Sequence, residues 1–140
     1  MSKNIALITD STNDIPSELR EKYKISVVPL TIVWDGKQYL DGVDLTAVSF
    51  YERLATDPKM PTTSQPTPGD FLQMFEKARD DGADEIVVIV ISSAMSGTIG
   101  SVRTAAESFS LPVHIVDSRS NSMSLGWQVL AAARERENSG

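Results

Sequence analysis

Hydroxyl side chains gather at four places in this sequence: Thr9-Asp10-Ser11-Thr12, Thr62-Thr63-Ser64-Gln65, Ser92-Ser93 with Ser96-Gly97-Thr98, and Asp117-Ser118 with Ser120 and Ser122. Hydroxyls and backbone N–H groups are the donors that an anion needs once it leaves water. Ser96-Gly97-Thr98 stands where a helix is predicted to begin. Free N–H groups, a hydroxyl and the positive end of the helix dipole coincide there, as a carboxylate or phosphate requires. Glycine at 97 also permits close approach to the backbone. Each cluster alone reads more simply as helix capping. Their convergence favours binding for the set.

Other chemistries find little support. No Gly-x-Ser-x-Gly elbow is present to strain a nucleophilic serine, and neither Gly-x-x-x-x-Gly-Lys-Ser/Thr nor Gly-x-Gly-x-x-Gly occurs. The single histidine, His114, lies inside a strand pattern and reads as structural or surface. Asp10, Asp14, Asp41, Asp44 and Asp117 lack the spacing of a metal site, and caps and turns explain Asp14 and Asp44. No catalytic residue, metal or cofactor is expected. The remaining enzyme reading is an α/β enzyme acting on a small phosphorylated or hydroxylated substrate, with Asp10 or Asp117 as base. A scaffold or oligomerisation piece is a third possibility.

The elements that must position these clusters follow from periodicity. Ile5-Ala6-Leu7-Ile8 is a short apolar run closed by Thr9, as a buried parallel strand would be. A helix is predicted from Pro16 to about Tyr23, with Asp14 as cap. Ile25 to Trp34 is β-branched and apolar with Pro29 inside it; Asp35-Gly36 is a turn, and Lys37 to Leu40 returns. A hairpin or meandering edge results, with an edge or bulge at Pro29. Leu45 to Ala55 is helical, capped by Asp44 or Thr46. Residues 57–68 hold four prolines and read as an ordered loop. Pro68 opens the next helix with Thr67 as cap and Gly82 ending it. Ile86 to Ile91 is six consecutive β-branched residues, a strand buried on both faces. A loop to Gly97, a helix from Thr98 to Phe109, a strand at Val113 to Val116 and a helix from Met123 to Arg136 complete the order. Alternating strands and helices give an α/β, Rossmann-like three-layer domain with a mostly parallel sheet. In such a sheet ligands bind beyond the carboxyl ends of the strands, where three of the four clusters fall.

The 140 residues, 41% hydrophobic and 23% charged, suit one folded domain. With 13 basic against 19 acidic residues the net charge is −6, and no basic stripe offers itself to nucleic acid or to an anionic membrane. Cysteine is absent, which removes thiolate chemistry and disulfides and favours a reducing cytoplasm. The first apolar run is too short for a signal-peptide core or a membrane span, so no stable membrane insertion is expected.

Three of the clusters, in longer form, carry a resemblance. Thr9-Asp10-Ser11-Thr12-Asn13-Asp14, Thr62-Thr63-Ser64-Gln65-Pro66-Thr67-Pro68 and Ser92-Ser93-Ala94-Met95-Ser96-Gly97-Thr98 resemble the motifs of the DegV family of fatty-acid-binding proteins, the FakB subunits of bacterial fatty acid kinase. Val116-Asp117-Ser118 with Ser122 and Gly126 fits as a fourth. The resemblance implies a carrier that is not itself an enzyme. Its long-chain fatty acid would rest its carboxylate on Thr63 and Ser96. Asp10, Ser11, Thr12, Thr62, Ser64 and Gln65 would support the site, as would Ser93, Gly97, Thr98, Asp117 and Ser118. A separate ATP-dependent kinase would then make an acyl phosphate for phospholipid synthesis. Tail-lining residues are not assigned; Met60, Met95, Met123 and Phe71 are apolar neighbours of the motifs for which core packing is the simpler reading. Family members are about twice as long and close a second domain over the lipid. The resemblance therefore implies that residues 1–140 are the N-terminal domain, truncated, with the second domain absent.

Overall fold

The computed structural model describes residues 4–139. Four strands, β1 (Ile5–Asp10), β2 (Ile25–Val28), β6 (Glu85–Val90) and β7 (Val113–Asp117), form a parallel sheet in the order β2-β1-β6-β7. The alternation within β1 decides its two faces. Ile8 joins Val28, Val88 and Val90 against Phe71, Phe75 and Val102, from α3 (Pro68–Asp80) and α4 (Thr98–Glu107). Leu7 joins Ile25 and Ile89 against Ile15, Leu125, Val129 and Ala133, the last three from α5 (Ser122–Ser139). The α1 helix (Ser17–Lys22) adds half-buried Leu19 to that side. The result is the expected three-layer α/β arrangement, its sheet apolar on both faces because both are covered.

Pro29 does more than mark an edge. After Val28 the chain leaves the parallel sheet and enters a second, antiparallel one of order β4-β3-β5, made of β3 (Thr31–Trp34), β4 (Lys37–Leu40) and β5 (Thr62–Ser64). Asp35 and Gly36 both take positive φ (51° and 76°), the conformation of a two-residue hairpin turn whose twist matches its strands. Thr62–Ser64, expected within a loop, is the third strand, pairing Thr62 with Val33, Thr63 with Ile32 and Ser64 with Thr31. Nothing local announces it, because its pairing partner lies thirty residues upstream. A small core of Ile32, Trp34 and Leu45 joins this sheet to Phe50 and Leu54 of α2 (Ala47–Thr56). The Arg53 guanidinium lies 4.4 Å over the Trp34 ring, a cation–π contact.

The caps sort out as chemistry requires. Thr46 and Thr67 each accept the N3 amide and are answered by Ser49 and Asp70, forming capping boxes at α2 and α3. Asp44 instead accepts the Leu40 amide at 2.8 Å. Asp14 does not cap α1: it sits at φ 53°, Pro16 occupies the N-cap position without a side-chain bond, and the Asp14 carboxylate accepts the Ser122 hydroxyl. Gly82, at φ 102°, closes α3 as expected.

Candidate functional site

The first hydroxyl loop is knotted by one acid. Asp10 is fully buried at the end of β1. One carboxylate oxygen accepts both the amide, at 2.8 Å, and the hydroxyl of Thr12; the other accepts the Ile91 amide at 2.7 Å. Ser11 to Asn13 form a 3-10 turn. The Ser11 hydroxyl accepts the Leu30 amide at 2.9 Å, and the buried Asn13 carboxamide donates to the Asp10 carbonyl at 2.8 Å while accepting the Ile15 amide at 2.6 Å. Asn13, a member of the first motif with no role expected of its own, is the buried pin of this turn. A carboxylate with no exposure and three internal donors has no room to act as a base, so the enzyme reading through Asp10 fails on geometry.

The loops after β6 and β7 hold one another. Asp117 accepts the Ser93 hydroxyl at 2.6 Å and the Arg119 amide at 2.9 Å. These bonds, the Ser93 hydroxyl foremost, hold its carboxyl below the usual carboxylate range, which makes Asp117 a poorer base than an ordinary aspartate. The Ser118 hydroxyl donates to the Ser120 carbonyl at 3.1 Å, and Ser120 accepts the Ser92 amide at 2.9 Å through that same carbonyl. Gln128 of α5 donates to the Ser118 carbonyl at 2.9 Å. Asp10, Thr12, Ser93, Asp117 and Ser118 thus spend their polar atoms on scaffold bonds, although only Asp10 and Ser118 are buried and Ser93 is exposed.

Two other segments hold donors that the scaffold does not use. Ser96 lies half-buried before α4; its hydroxyl is 2.8 Å from that of Thr98 and accepts the Thr98 amide at 3.2 Å. The N–H groups of Gly97 and Ile99 have no acceptor among the described residues, and α4 starts on Gly97 with no side-chain cap. Thr62, Thr63, Ser64 and Gln65 are all exposed. The two loops touch: a Cβ at Gly97 would lie 2.3 Å from the Gln65 Oε1 and 2.9 Å from its Cδ. Gly97 therefore leaves the space in which the Gln65 carboxamide sits. That contact sets the Thr63 strand beside the Ser96 loop and joins the two sheets at the site.

A cleft of about 1270 Å³ lies elsewhere. It runs along β2 past Ser11, Asn13, Asp41 and Arg136, and neither Thr63 nor Ser96 lines it. It is an open surface trough, and donor chemistry identifies the site better than size does. Asp41, on its wall, has its carboxyl raised by burial, with the Ser11 hydroxyl pulling the other way and Asp14 and Asp10 adding repulsion. The folded state then holds the Asp41 proton more tightly than the unfolded chain does. Its contribution to stability falls as pH rises from the ordinary carboxylate range through the raised value. Asp41→Asn is accordingly expected to melt higher than the parent at neutral pH and to lose that slope, read by thermal melts from pH 4 to 8. A melting temperature at or below the parent's at neutral pH would refute the assignment.

Of the apolar neighbours, only Phe71 is core, fully buried; Met60 and Met95 are 76% and 59% exposed and Met123 is half-buried. The expectation of core packing fails for both exposed methionines, which stand beside β5 and beside Ser96. His114 is exposed, 3.8 Å from Glu85. Among the described residues no group of acids and histidines is placed to hold a metal ion, and no helix is long and apolar enough to cross a membrane.

The same arrangement recurs in known proteins. A family model described as "Uncharacterised protein, DegV family" matches residues 4–139. A DegV domain-containing protein of Listeria innocua is 40% identical over 134 residues, covering 95% of this chain and 47% of its own length. One from Caldanaerobacter subterraneus is 41% identical over 133 residues, covering 94% and 47%. The chain spans about half the length of the curated relatives it matches. DegV of Bacillus subtilis, a fatty acid binding protein, superposes with a TM-score of 0.92 at 35% identity, over 98% of this chain and 49% of that one. A DegV family protein of Thermus thermophilus, studied for fatty acid binding, gives 0.88 at 35% identity over 98% and 49%. The chain belongs to the DegV family.

Proposed function

We propose that this chain supplies the head-group half of a fatty-acid carrier. Thr63 and Ser96 hold the ionised carboxylate of a long-chain fatty acid, and the free N–H groups at the start of α4 add their dipole. The observation that carries this reading is the seating of Gln65 on Gly97, which brings the hydroxyl strand to the hydroxyl loop. The fatty acid binding of the Bacillus and Thermus relatives supports the ligand class.

The energetics suit a carrier. About 15 methylenes at about 0.8 kcal/mol each offer roughly 12 kcal/mol before binding costs, so the tail supplies affinity and the head supplies orientation. The carboxyl then stands ready for a separate ATP-dependent kinase that forms the acyl phosphate, in the cytoplasm. The scaffold bonds that Asp10 and Asp117 already accept support a binding role for this chain and leave phosphoryl transfer to the partner.

Thr63→Ala and Ser96→Ala should each weaken stearate binding about tenfold, the worth of one hydrogen bond to a charged group. Native mass spectrometry and fluorescence displacement would report it. Because Ser96 also accepts the Thr98 amide, its variant is to be compared with Ser96→Thr, which keeps the hydroxyl. Stearate bound as tightly by the Thr63→Ala, Ser96→Ala double variant as by the parent would end the proposal.

A further inference from the structure

We infer that residues 31–64 form a hinged flap on the parallel-sheet body, and that its turning brings Thr63 toward Ser96 or carries it away. The closing role rests on the carrier reading; the hinge does not.

The path of the chain makes the hinge. Residues 31–64 are one continuous stretch between β2 and α3, holding β3, β4, α2 and β5. The stretch leaves the body through Pro29-Leu30 and returns through Gln65-Pro66. These two crossings lie side by side, because Thr31, the first residue of β3, pairs with Ser64, the last of β5. Two adjacent crossings, each stiffened by a proline, define one axis. The exit is anchored to the body: Pro66 is buried and Gln65 is seated against Gly97. At the entry, the Leu30 amide donates to the Ser11 hydroxyl at 2.9 Å, and the Leu30 carbonyl accepts the Asp41 amide at 2.9 Å.

The segment is also a unit. Ile32, Trp34 and Leu45 pack with Tyr39, Phe50 and Leu54, all within it, and the two cores of the body contain none of its residues. Its polar contacts close on themselves as well. The Trp34 indole donates to the Lys59 carbonyl at 3.2 Å, and Arg53 donates to Asp57 at 3.1 Å and to the Tyr39 hydroxyl at 3.2 Å. Among the described residues, no helix or strand of the segment packs along one of the body. Clefts occupy the seam instead. Asp41, Gly42, Val43 and Thr46 stand on one side of the trough of about 1270 Å³. Leu40 meets Val28, Pro29 and Met74 around a second cleft of about 300 Å³. A close-packed seam resists turning, since any shift breaks its contacts. Here the space is already open, so a hinge turn sacrifices little burial.

Thr63 rides on the flap, two residues before the exit, while Ser96 stays with the body. Hydrogen bonds to hydroxyls tolerate only a few tenths of an ångström, so a small turn decides whether one carboxylate touches both side chains. A ligand that touches both then favours the closed arrangement by its differential contacts.

The test is a distance measurement between paired spin labels by pulsed electron resonance. The chain has no cysteine, so Lys37→Cys on the flap and Arg103→Cys on α4, both exposed, take one label each. Arg103→Cys with Arg134→Cys, exposed on α5, is the reference pair within the body. Without ligand, the flap–body distribution is expected to be about twice as wide as the reference. Saturating stearate is expected to narrow it to about the reference width, and to leave it wide when Thr63→Ala is added. A flap–body distribution as narrow as the reference without ligand would overturn the hinge. A wide distribution that bound stearate leaves unchanged, or narrowing retained in Thr63→Ala, would overturn the closing role and leave the carrier standing. A wide distribution in a chain that takes up no stearate would bring down the carrier reading, and the closing role with it, while the hinge stands.

Discussion

Asp10→Ala is expected to lower the melting temperature by about 10 °C, the equivalent of about 3 kcal/mol in a chain of this size. The acid is fully buried, and its two oxygens close three bonds: two to Thr12 and one, at 2.7 Å, to the Ile91 amide across the sheet. Alanine leaves the Ile91 N–H buried beside apolar neighbours with no acceptor, and an orphaned donor of that kind costs more than the mean worth of the bond it lost. The Thr12 amide stands closer to solvent and recovers part of its loss from water. Asp10→Asn should fall between parent and alanine, since one amide oxygen can still accept. A shift under about 2 °C for alanine would mean that the carboxylate stabilises nothing. Fatty acid binding should fall in parallel with stability, without the selective loss expected of a ligand contact.

Gly126→Val is expected to cost about 3 kcal/mol through overpacking. A Cβ at 126 would lie 2.5 Å from the Asn13 carbonyl oxygen and 3.1 Å from an Ile15 side-chain carbon. The first of these is backbone, in the 3-10 turn that Asp10 and Asn13 fasten from inside, so it cannot step aside. α5 must lift instead, and it would draw Leu125 and Val129 out of the core on that face. Urea unfolding should show a lower midpoint with the slope unchanged. Gly100→Ala is the control: nothing lies within 4 Å of a Cβ there, and replacing a glycine in the first turn of α4 should stabilise by up to about 1 kcal/mol. Equal destabilisation by both substitutions would show that the Gly126 contact is not the cause.

Much of this was legible in the residues themselves. The buried strand at Ile86–Ile91, the Thr67-Pro68 helix start and the glycine at its end rest on local signals, and each stands where it was expected. The hydroxyl clusters were also visible, but which of them keep donors unused was not. Asp10 and Asp117 look like free catalytic acids in the sequence, and only partners 81 and 24 residues away, Ile91 and Ser93, tie them to the scaffold. β5 carries no local signal for the same reason: three polar residues become a strand only because β3 offers an edge. The Gln65–Gly97 contact spans two sheets, so neither residue alone announces it.

The strand order has a consequence for how the chain is made. β1 lies at the centre of the parallel sheet, yet its inner neighbour β6 begins eighty residues later, Ile5 pairing with Glu85. At roughly 5–20 residues per second of synthesis, the apolar run Ile5–Ile8 waits several seconds for that neighbour. In the meantime only β2 is available to it, and a lone pair of strands is not stable in water. The β3–β4 hairpin, with its two-residue turn, can form early; the sheet beneath the site closes late, by way of contacts eighty residues apart. A ribosome-bound nascent chain stopped before residue 85 should therefore remain open to proteases along β1, and chaperones have their longest opportunity at that segment.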